Sequence, residues 1–252
     1  PSYSRAKVWL RLSFFLLAFF FFVIGISRPQ MGAILKEHKT RGAEVMIVLD
    51  VSNSMLAEDY SPNRLERAKL AISRVVDKLR DDRIGLVVFA GNSFVQLPIT
   101  TDYVSAKMFL SSISTGSVPI QGTAIGEAIG TALRSFSAQS DRSRAIIVIT
   151  DGENHEDDPV AAASQAAEMG VRVFTIGVGS PEGKMIPFEG DYLRDKEGNP
   201  VVTRLDESVL QDVAAAGKGL YVRAGNSEFG LNPIVDEIAR MDDEEYNSIV
   251  FE

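Results

Sequence analysis

Two long apolar runs, each followed by an aspartate, constrain the fold of this chain more than any other feature of its sequence. Residues 45–49 are apolar throughout and lead directly into Asp50. Residues 145–149 are also apolar and lead through Thr150 into Asp151. Runs without polar alternation predict strands that are buried on both faces of a sheet. Because open α/β sheets bind ligands at the carboxyl ends of their strands, both aspartates are predicted to lie at the functional edge.

Further apolar stretches alternate with segments whose apolar residues recur at helical spacing. The predicted strands are residues 44–50, 84–90, 94–100, 145–150, 171–176 and 219–224. The predicted helices are residues 65–79, 101–113, 123–136, 159–169, 205–216 and 226–241. Pro98 places its strand at an edge, and residues 193–203 predict a hairpin. Because strands and helices alternate, we predict an α/β fold: a doubly wound, mostly parallel sheet with flanking helices and an edge hairpin, preceded by one transmembrane helix.

The transmembrane prediction rests on residues 8–26, which are apolar except for Ser13, Gly25 and Arg11. As an α-helix such a segment spans roughly 28 Å, close to the thickness of the bilayer hydrocarbon. A signal peptide is the alternative, but residues 27–30 do not resemble a small-residue cleavage site. We therefore predict a transmembrane helix at 8–27, a polar connector at 28–41, one domain at 42–241, and an acidic segment at 242–252 that leads toward a further region.

The charged residues are unevenly divided along the chain. Residues 1–41 contain 7 Lys or Arg and 1 acidic residue, whereas residues 42–252 contain 19 basic and 33 acidic residues. An acidic body argues against nucleic acid as a partner, and basic residues beside an apolar segment favour a membrane. These basic residues lie on both sides of the segment, so they do not fix its orientation. Because the chain has no cysteine, disulfides, zinc–thiolate sites and thiol catalysis are excluded.

Hydroxyl side chains accompany the two aspartates. Ser52 and Ser54 follow Asp50 at alternate positions, and Thr123 stands where a helix is predicted to begin at the same edge. Carboxylate and hydroxyl oxygens are hard donors, which suit Mg²⁺ or Mn²⁺ better than zinc or copper. We predict that Asp50, Ser52, Ser54, Thr123 and Asp151 converge on one such ion. The alternative is that Asp50 and the two serines only cap a turn.

The order and spacing of these residues resemble the metal-ion-dependent adhesion site of von Willebrand factor A (VWA) domains. That site has the pattern Asp-x-Ser-x-Ser, then a distant Thr and a distant Asp, which residues 50–54, Thr123 and Asp151 match. The apolar segment ahead of the domain, residues 41–50 and the hairpin resemble the bacterial aerotolerance (Bat) branch of membrane VWA proteins.

This resemblance implies a divalent ion held by the five side chains and a location in the bacterial inner membrane, with the VWA domain in the periplasm. It also implies one further membrane helix upstream and one downstream. The partners that it implies are other VWA membrane proteins and a MoxR-type AAA+ ATPase, in a complex linked to stress tolerance.

The sequence therefore favours a non-enzymatic, membrane-anchored scaffold, in which an Asp or Glu of a partner protein completes the coordination of the ion. A metal-dependent hydrolase at the same sheet edge is one alternative, although Ser52 stands where haloacid-dehalogenase phosphatases need a second aspartate as general acid. A VWA domain with a purely structural ion is the other. The acidic run at residues 151–158 predicts a charged rim, so the partner is expected to present basic groups beside its carboxylate.

Overall fold

The structure of the protein, a computed structural model, describes residues 5–27, 42–78, 81–137, 140, 142–154, 156–225 and 229–250. The chain divides into two compact units between His38 and Lys39. The predicted connector at residues 28–41 lies outside the described residues. The domain boundaries therefore stay a prediction.

Helix α1 (Arg5–Ser27) is what the structure describes of the N-terminal unit. Its segment Lys7–Ile26 has a mean hydropathy of 2.2, and the side chains of this segment are exposed. By length and composition α1 is long and apolar enough to cross a membrane, a property that signal sequences share.

The strands of the main sheet of the second unit are β1 (Glu44–Asp50), β2 (Arg83–Phe89), β3 (Ser93–Thr100), β4 (Arg144–Thr150), β5 (Val171–Gly177) and β10 (Lys218–Arg223). Their order across the sheet is β10-β5-β4-β1-β2-β3. All neighbouring strands are parallel except β2 and β3, which are antiparallel. The predicted fold class is confirmed, and the strand that contains Pro98 lies at an edge, where a missing N–H is tolerated.

Six helices cover the two faces of this sheet among the described residues: α2 (Arg64–Val76), α3 (Tyr103–Ser112), α4 (Ile125–Arg134), α5 (Pro159–Glu168), α6 (Glu207–Ala216) and α7 (Leu231–Val250). One core contains Ile47 of β1 with side chains of α2, α3 and α7. The other contains Val48 of β1 with side chains of α4, α5 and α6. Successive side chains of a strand point to opposite faces, so an apolar run such as β1 supplies both cores at once.

Polar caps fix where several helices begin. The side chains of Asn63, Asp102, Asp158 and Asp206 accept hydrogen bonds from backbone N–H groups in the first turns of α2, α3, α5 and α6. These caps satisfy N–H groups that have no partner within the helix. The C-terminal helix α7 runs to Val250, past its predicted end at Met241. No Gly or Pro follows Met241 to stop it, and acidic residues do not terminate a helix.

The segment between β5 and α6, residues 178–206, forms an insertion with its own small sheets. Strand β6 (Lys184–Met185) pairs with β9 (Val202–Thr203), and β7 (Pro187–Phe188) pairs with β8 (Asp191–Tyr192). The predicted hairpin turn is present, because the N–H of residue 195 donates to the carbonyl of residue 199 at 2.9 Å. These strands are bonded to one another and not to the main sheet.

Candidate metal site

Asp50 is the last residue of β1, and the other four predicted ligands lie on three loops at the carboxyl edge of the parallel strands. Loop 1 (residues 51–63) follows β1, loop 2 (residues 113–124) precedes α4, and loop 3 (residues 151–158) follows β4. Strands β1 and β4 are parallel neighbours with Leu49 opposite Ile149. This register brings the end of β1 beside the end of β4, and the hydroxyl of Thr150 donates to Asp50 Oδ2 at 2.6 Å.

Asp50 is fully buried and is surrounded by neutral donors. Its Oδ1 accepts a hydrogen bond from the backbone N–H of Ser52 at 2.8 Å. Burial raises the pKa of Asp50 to about 7, with a further contribution from the negative charge of Asp151, against the hydrogen bonds from Ser52 and Thr150 that lower it. Burial and a neighbouring like charge both disfavour the ionised form. The chain thus places a carboxylate where a cation would stabilise it.

The two serines of loop 1 lie side by side. The chain forms a short 3₁₀ helix at Asn53–Leu56 directly after Ser52. As a result, Ser52 Oγ and Ser54 Oγ are 2.9 Å apart, close enough to bind one ion together. Ser52 is buried at 5% exposure, so its hydroxyl belongs to the interior of the loop cluster. The structure therefore brings Asp50, Ser52 and Ser54 together at the end of β1, and their role as metal ligands stays a prediction.

The position of Thr123 depends on the contacts that loop 2 and the start of α4 make with the other loops. Thr123 is buried at 6% exposure, just before α4. Loop 2 is tied to loop 1 by a hydrogen bond from Asn53 N to Gln121 Oε1 at 3.0 Å, and α4 is tied to loop 3 by one from Ile125 N to Asn154 Oδ1 at 3.3 Å. Within the part of the chain that the structure describes, no hydrogen bond joins Thr123 directly to the other predicted ligands.

Asp151, the remaining predicted ligand, is fully buried at the start of loop 3. Its Oδ2 accepts hydrogen bonds from Arg64 Nη1 at 2.9 Å and from Thr203 Oγ1 at 3.0 Å. Its Oδ1 accepts a longer one from Glu153 N at 3.3 Å. One oxygen of Asp151 is therefore committed to the protein, and Oδ1 is the atom with more capacity left for a cation.

The sequence pattern does not indicate that Arg64 or Thr203 lies at this edge, whereas Glu153 belongs to the acidic run of residues 151–158 that was expected to form a rim. Arg64 is the first residue of α2 and its side chain is fully buried, although arginine is almost never buried without partners. Thr203 comes from the insertion, whose small sheets were predicted only as a hairpin. Burial raises the pKa of Glu153, whose carboxylate accepts a hydrogen bond from Arg204 N at 2.8 Å. Glu153 also lies 3.1 Å from Thr203 Oγ1, whose single proton it shares with Asp151.

Glycine keeps loop 2 close to loop 3. Gly122 has a φ of +140°, and a Cβ at this position would lie 2.1 Å from Glu156 Oε1. A side chain here would therefore be strained by the backbone and would also displace the carboxylate. Glu156 is exposed, so together with Glu153 it gives the edge the acidic rim that was expected from residues 151–158.

The donor set fits a hard divalent cation. Among the described residues, no group of three or more His, Asp or Glu side chains is arranged to hold a metal ion. A site here would consequently depend on two carboxylates, adjacent hydroxyls and water, which is the chemistry of Mg²⁺ or Mn²⁺ rather than of a zinc site. A buried carboxylate such as Asp50, whose pKa is raised by burial and by the charge of Asp151, is a group that such a cation stabilises.

The chain is similar in sequence and in fold to several known proteins. The family model of the von Willebrand factor type A domain matches residues 44–187. A protein of Borreliella burgdorferi, described as uncharacterized, is 30% identical over 233 residues, which are 90% of this chain and 67% of that protein. The crystal structure of the conserved hypothetical protein BatB from Bacteroides thetaiotaomicron is 54% identical, with a TM-score of 0.72 over 84% of this chain and 100% of that one. An aerotolerance-related membrane protein from Bacteroides fragilis is also 54% identical, with a TM-score of 0.76 over 79% and 100% of the two chains.

Proposed function

This chain belongs to the von Willebrand factor type A domain family and to its aerotolerance (Bat) type, and from that premise we propose that it is a membrane-anchored scaffold that binds a partner protein through a divalent cation. VWA domains are generally adhesion or scaffold modules and often bind a metal ion. The observation that carries the proposal is the cluster at the end of β1, where Asp50, Ser52 and Ser54 are joined by hydrogen bonds beside Asp151.

The proposed ligands are Asp50, Ser52, Ser54, Thr123 and Asp151, with Mg²⁺ as the ion and Mn²⁺ as its substitute. The hydroxyls are neutral, and Asp151 is already paired with a buried arginine. The chain's own side chains therefore offset the charge of a divalent ion only in part. When bound, the ion supplies a positive centre to which a carboxylate of a partner protein can coordinate.

The acidic rim determines which charges we expect on the surface of the partner. Glu156 is exposed beside Gly122, and Glu153 is partly buried near Asp151. A purely acidic partner would be repelled by these carboxylates. We therefore expect an Asp or Glu that is flanked by Lys or Arg on the partner's surface, and we expect no role for nucleic acid because the body of the chain is acidic.

The membrane setting is proposed from α1 and from relatives that are named as membrane proteins. We propose that residues 8–27 span the bacterial inner membrane and that residues 42–241 form the periplasmic VWA domain. Other VWA membrane proteins and a MoxR-type ATPase are the proposed members of the complex, with a role in stress tolerance. These assignments come from the resemblance to the aerotolerance proteins.

Partner capture by the full chain in detergent tests the proposal. We expect proteins that bind the immobilised chain in Mg²⁺ to be lost in EDTA and with Asp50→Asn. They should be retained with Asp212→Asn, which removes an exposed acid on α6, remote in sequence from the three loops. Capture that is the same in Mg²⁺, in EDTA and with Asp50→Asn would contradict the proposal.

Two alternative functions of the site predict different results with the same detergent-solubilised chain. If the ion is purely structural, Mg²⁺ raises the melting temperature of the chain and leaves capture unchanged. If the edge is a hydrolase site, the chain turns over a generic phosphate ester in Mg²⁺, and Asp50→Asn abolishes that turnover. Each outcome identifies a different function for the same five residues.

A further inference from the structure

The side chain of Arg64 is fully buried, and its guanidinium donates hydrogen bonds to two aspartates and a threonine. Its Nε donates to Asp59 Oδ1 and Oδ2 at 2.8 and 3.1 Å, and its Nη2 donates to Asp59 Oδ2 at 2.7 Å. Its Nη1 donates to Asp151 Oδ2 at 2.9 Å and to Thr203 Oγ1 at 3.1 Å. One guanidinium thus joins α2 to loop 1, to a predicted metal ligand and to the insertion.

The surroundings of the guanidinium hold it in this position. A Cβ on Gly179, whose φ is +134°, would lie 2.8 Å from Arg64 Cζ, so the backbone of the insertion packs directly against the guanidinium. Asp59 Oδ2 also accepts a hydrogen bond from Ser180 N at 2.9 Å. The insertion contacts both Arg64, through Gly179, and Asp59, through Ser180. Arg64 therefore cannot turn away from Asp151 unless the insertion moves.

We propose that Arg64 is a positioning residue of the metal site, which sets the orientation and the effective charge of Asp151. This inference rests on the proposed function. Arg64 and Thr203 hold Asp151 Oδ2, which leaves Oδ1 as the oxygen that is available to the ion. The positive charge of Arg64 also offsets the charge of Asp151, so the ion binds less tightly than it would between two uncompensated carboxylates. The ion correspondingly keeps more of its charge for the partner's carboxylate.

A merely structural role for Arg64 makes a different prediction. Breaking a buried ion pair by removal of one partner destabilises a fold, and a disordered site would then bind its ion more weakly. The charge role predicts that stability falls while affinity for the ion rises, because removal of a buried positive charge strengthens the attraction of the site for a cation. The sign of the change in Mg²⁺ affinity therefore separates the two roles.

Asp59 supplies the matched control. Asp59→Asn keeps a side chain of the same shape against Arg64 but removes the negative charge that faces it. The positive charge of Arg64 is then less compensated, so this variant should weaken Mg²⁺ binding, whereas Arg64→Met should strengthen it. Both variants disturb the same buried pair and are expected to lower the melting temperature.

The experiment is a calorimetric titration of the full chain in detergent with MgCl₂, together with thermal unfolding in EDTA. We expect Arg64→Met to bind Mg²⁺ about tenfold more tightly than the wild type and Asp59→Asn to bind it about tenfold more weakly. Arg64→Lys retains the charge and should bind within about threefold of the wild type. Weaker binding by both Arg64→Met and Asp59→Asn would overturn the inference while leaving the proposed function intact.

A second variant covers the case in which Arg64→Met does not fold. The double variant Arg64→Met/Asp59→Asn replaces the ion pair by neutral groups, an exchange that folds often tolerate. Because Arg64 contacts Asp151 directly, this variant should still bind Mg²⁺ more tightly than the wild type, and unchanged or weaker binding would overturn the inference. If the wild-type chain itself binds no Mg²⁺, the proposed function fails and this inference fails with it.

Discussion

At the scale of single residues, the two aspartates of the site have the same chemistry and different environments. Asp151 faces the guanidinium of Arg64, whereas the hydrogen bonds that Asp50 accepts come from neutral groups of Ser52 and Thr150. Full burial beside Asp151 raises the pKa of Asp50 to about 7. Ionisation of Asp50 therefore costs free energy in the metal-free fold, and a cation at the site would offset that cost.

This cost predicts how the stability of the metal-free chain depends on pH. Between its ordinary pKa of 3.8 and its pKa of about 7 in the folded chain, Asp50 holds a proton more often in the folded state than in the unfolded state. The free energy of unfolding in EDTA should therefore fall as the pH rises through this window. Asp50→Asn should remove that part of the slope and raise the melting temperature at about pH 8.

Thermal unfolding of the wild type, Asp50→Asn and Asp212→Asn in EDTA at about pH 5 and pH 8 measures this effect. The exposed Asp212 serves as the control, since its substitution should leave the slope as in the wild type. Mg²⁺ should raise the melting temperature of the wild type and of the control and not that of Asp50→Asn. A wild-type slope that persists in Asp50→Asn would exclude Asp50 as its source.

At the scale of elements, the edge of the sheet is assembled from loops that bind one another through a few polar contacts. Loops 1 and 2 meet at Asn53 and Gln121, and the insertion meets loop 3 at Thr203. The strands of the insertion are not bonded to the main sheet. Its attachment to the site therefore depends on contacts such as those of the Thr203 hydroxyl with Asp151 and Glu153.

Thr203→Val should loosen the insertion. The change removes a buried hydroxyl that accepts from Arg64, so the free energy of unfolding should fall by about 1–3 kcal/mol. Amide hydrogen exchange of residues 184–203 should become faster, because the insertion opens locally. Thr175→Val is the matched control: Thr175 is also fully buried, but its hydroxyl donates to Leu210 O at 2.8 Å and joins β5 to α6.

Hydrogen exchange followed by mass spectrometry distinguishes the two valine variants. Both should be less stable than the wild type, but only Thr203→Val should accelerate exchange within the insertion under native conditions. Equal exchange of residues 184–203 in the two variants would show that the Thr203 hydroxyl does not attach the insertion.

At the scale of the whole molecule, the described residues form an apolar helix in one unit and an acidic α/β fold in the other. The described side chains of α1 are exposed within its own unit, which is costly in water and favourable in a lipid bilayer. The second unit carries a complete core on each face of its sheet. The two units are therefore suited to different solvents, as expected for a domain anchored beside a membrane.

Two lysines in the middle of α1 should release the chain from the membrane. Each Lys at the centre of a membrane-spanning helix costs about 2.5–3.5 kcal/mol on insertion scales. The double variant Leu16→Lys/Phe20→Lys should shift the chain from the carbonate-resistant membrane pellet to the supernatant. Leu70→Lys/Leu220→Lys places the same charges on exposed positions of the second unit and should leave the chain in the pellet. A double α1 variant that stays in the pellet would contradict membrane anchoring through α1.

The sequence by itself determined the fold class. Strands that are apolar on both faces, alternating with amphipathic helices, bury their side chains when helices cover both faces of a parallel sheet. It also determined that Asp50 and Asp151 lie at one edge, since the carboxyl ends of parallel strands share an edge. The hydroxyls of Ser52 and Ser54 were predictable as neighbours of Asp50 because they follow it within four residues of the chain.

Only the tertiary structure decided what surrounds Asp151. Arg64 is 87 residues away from Asp151, and Thr203 is 52 residues away. A basic residue at a helix start does not indicate a partner on another element, because ion pairs between elements follow no sequence periodicity and form where packing brings opposite charges together. The sequence likewise predicted only an edge hairpin at residues 193–203, and no local pattern indicates that the insertion contacts α2 and loop 3. The local sequence pattern therefore predicted the positions of Asp50 and Asp151 at the sheet edge. Long-range packing determined that the positive charge of Arg64 lies against Asp151.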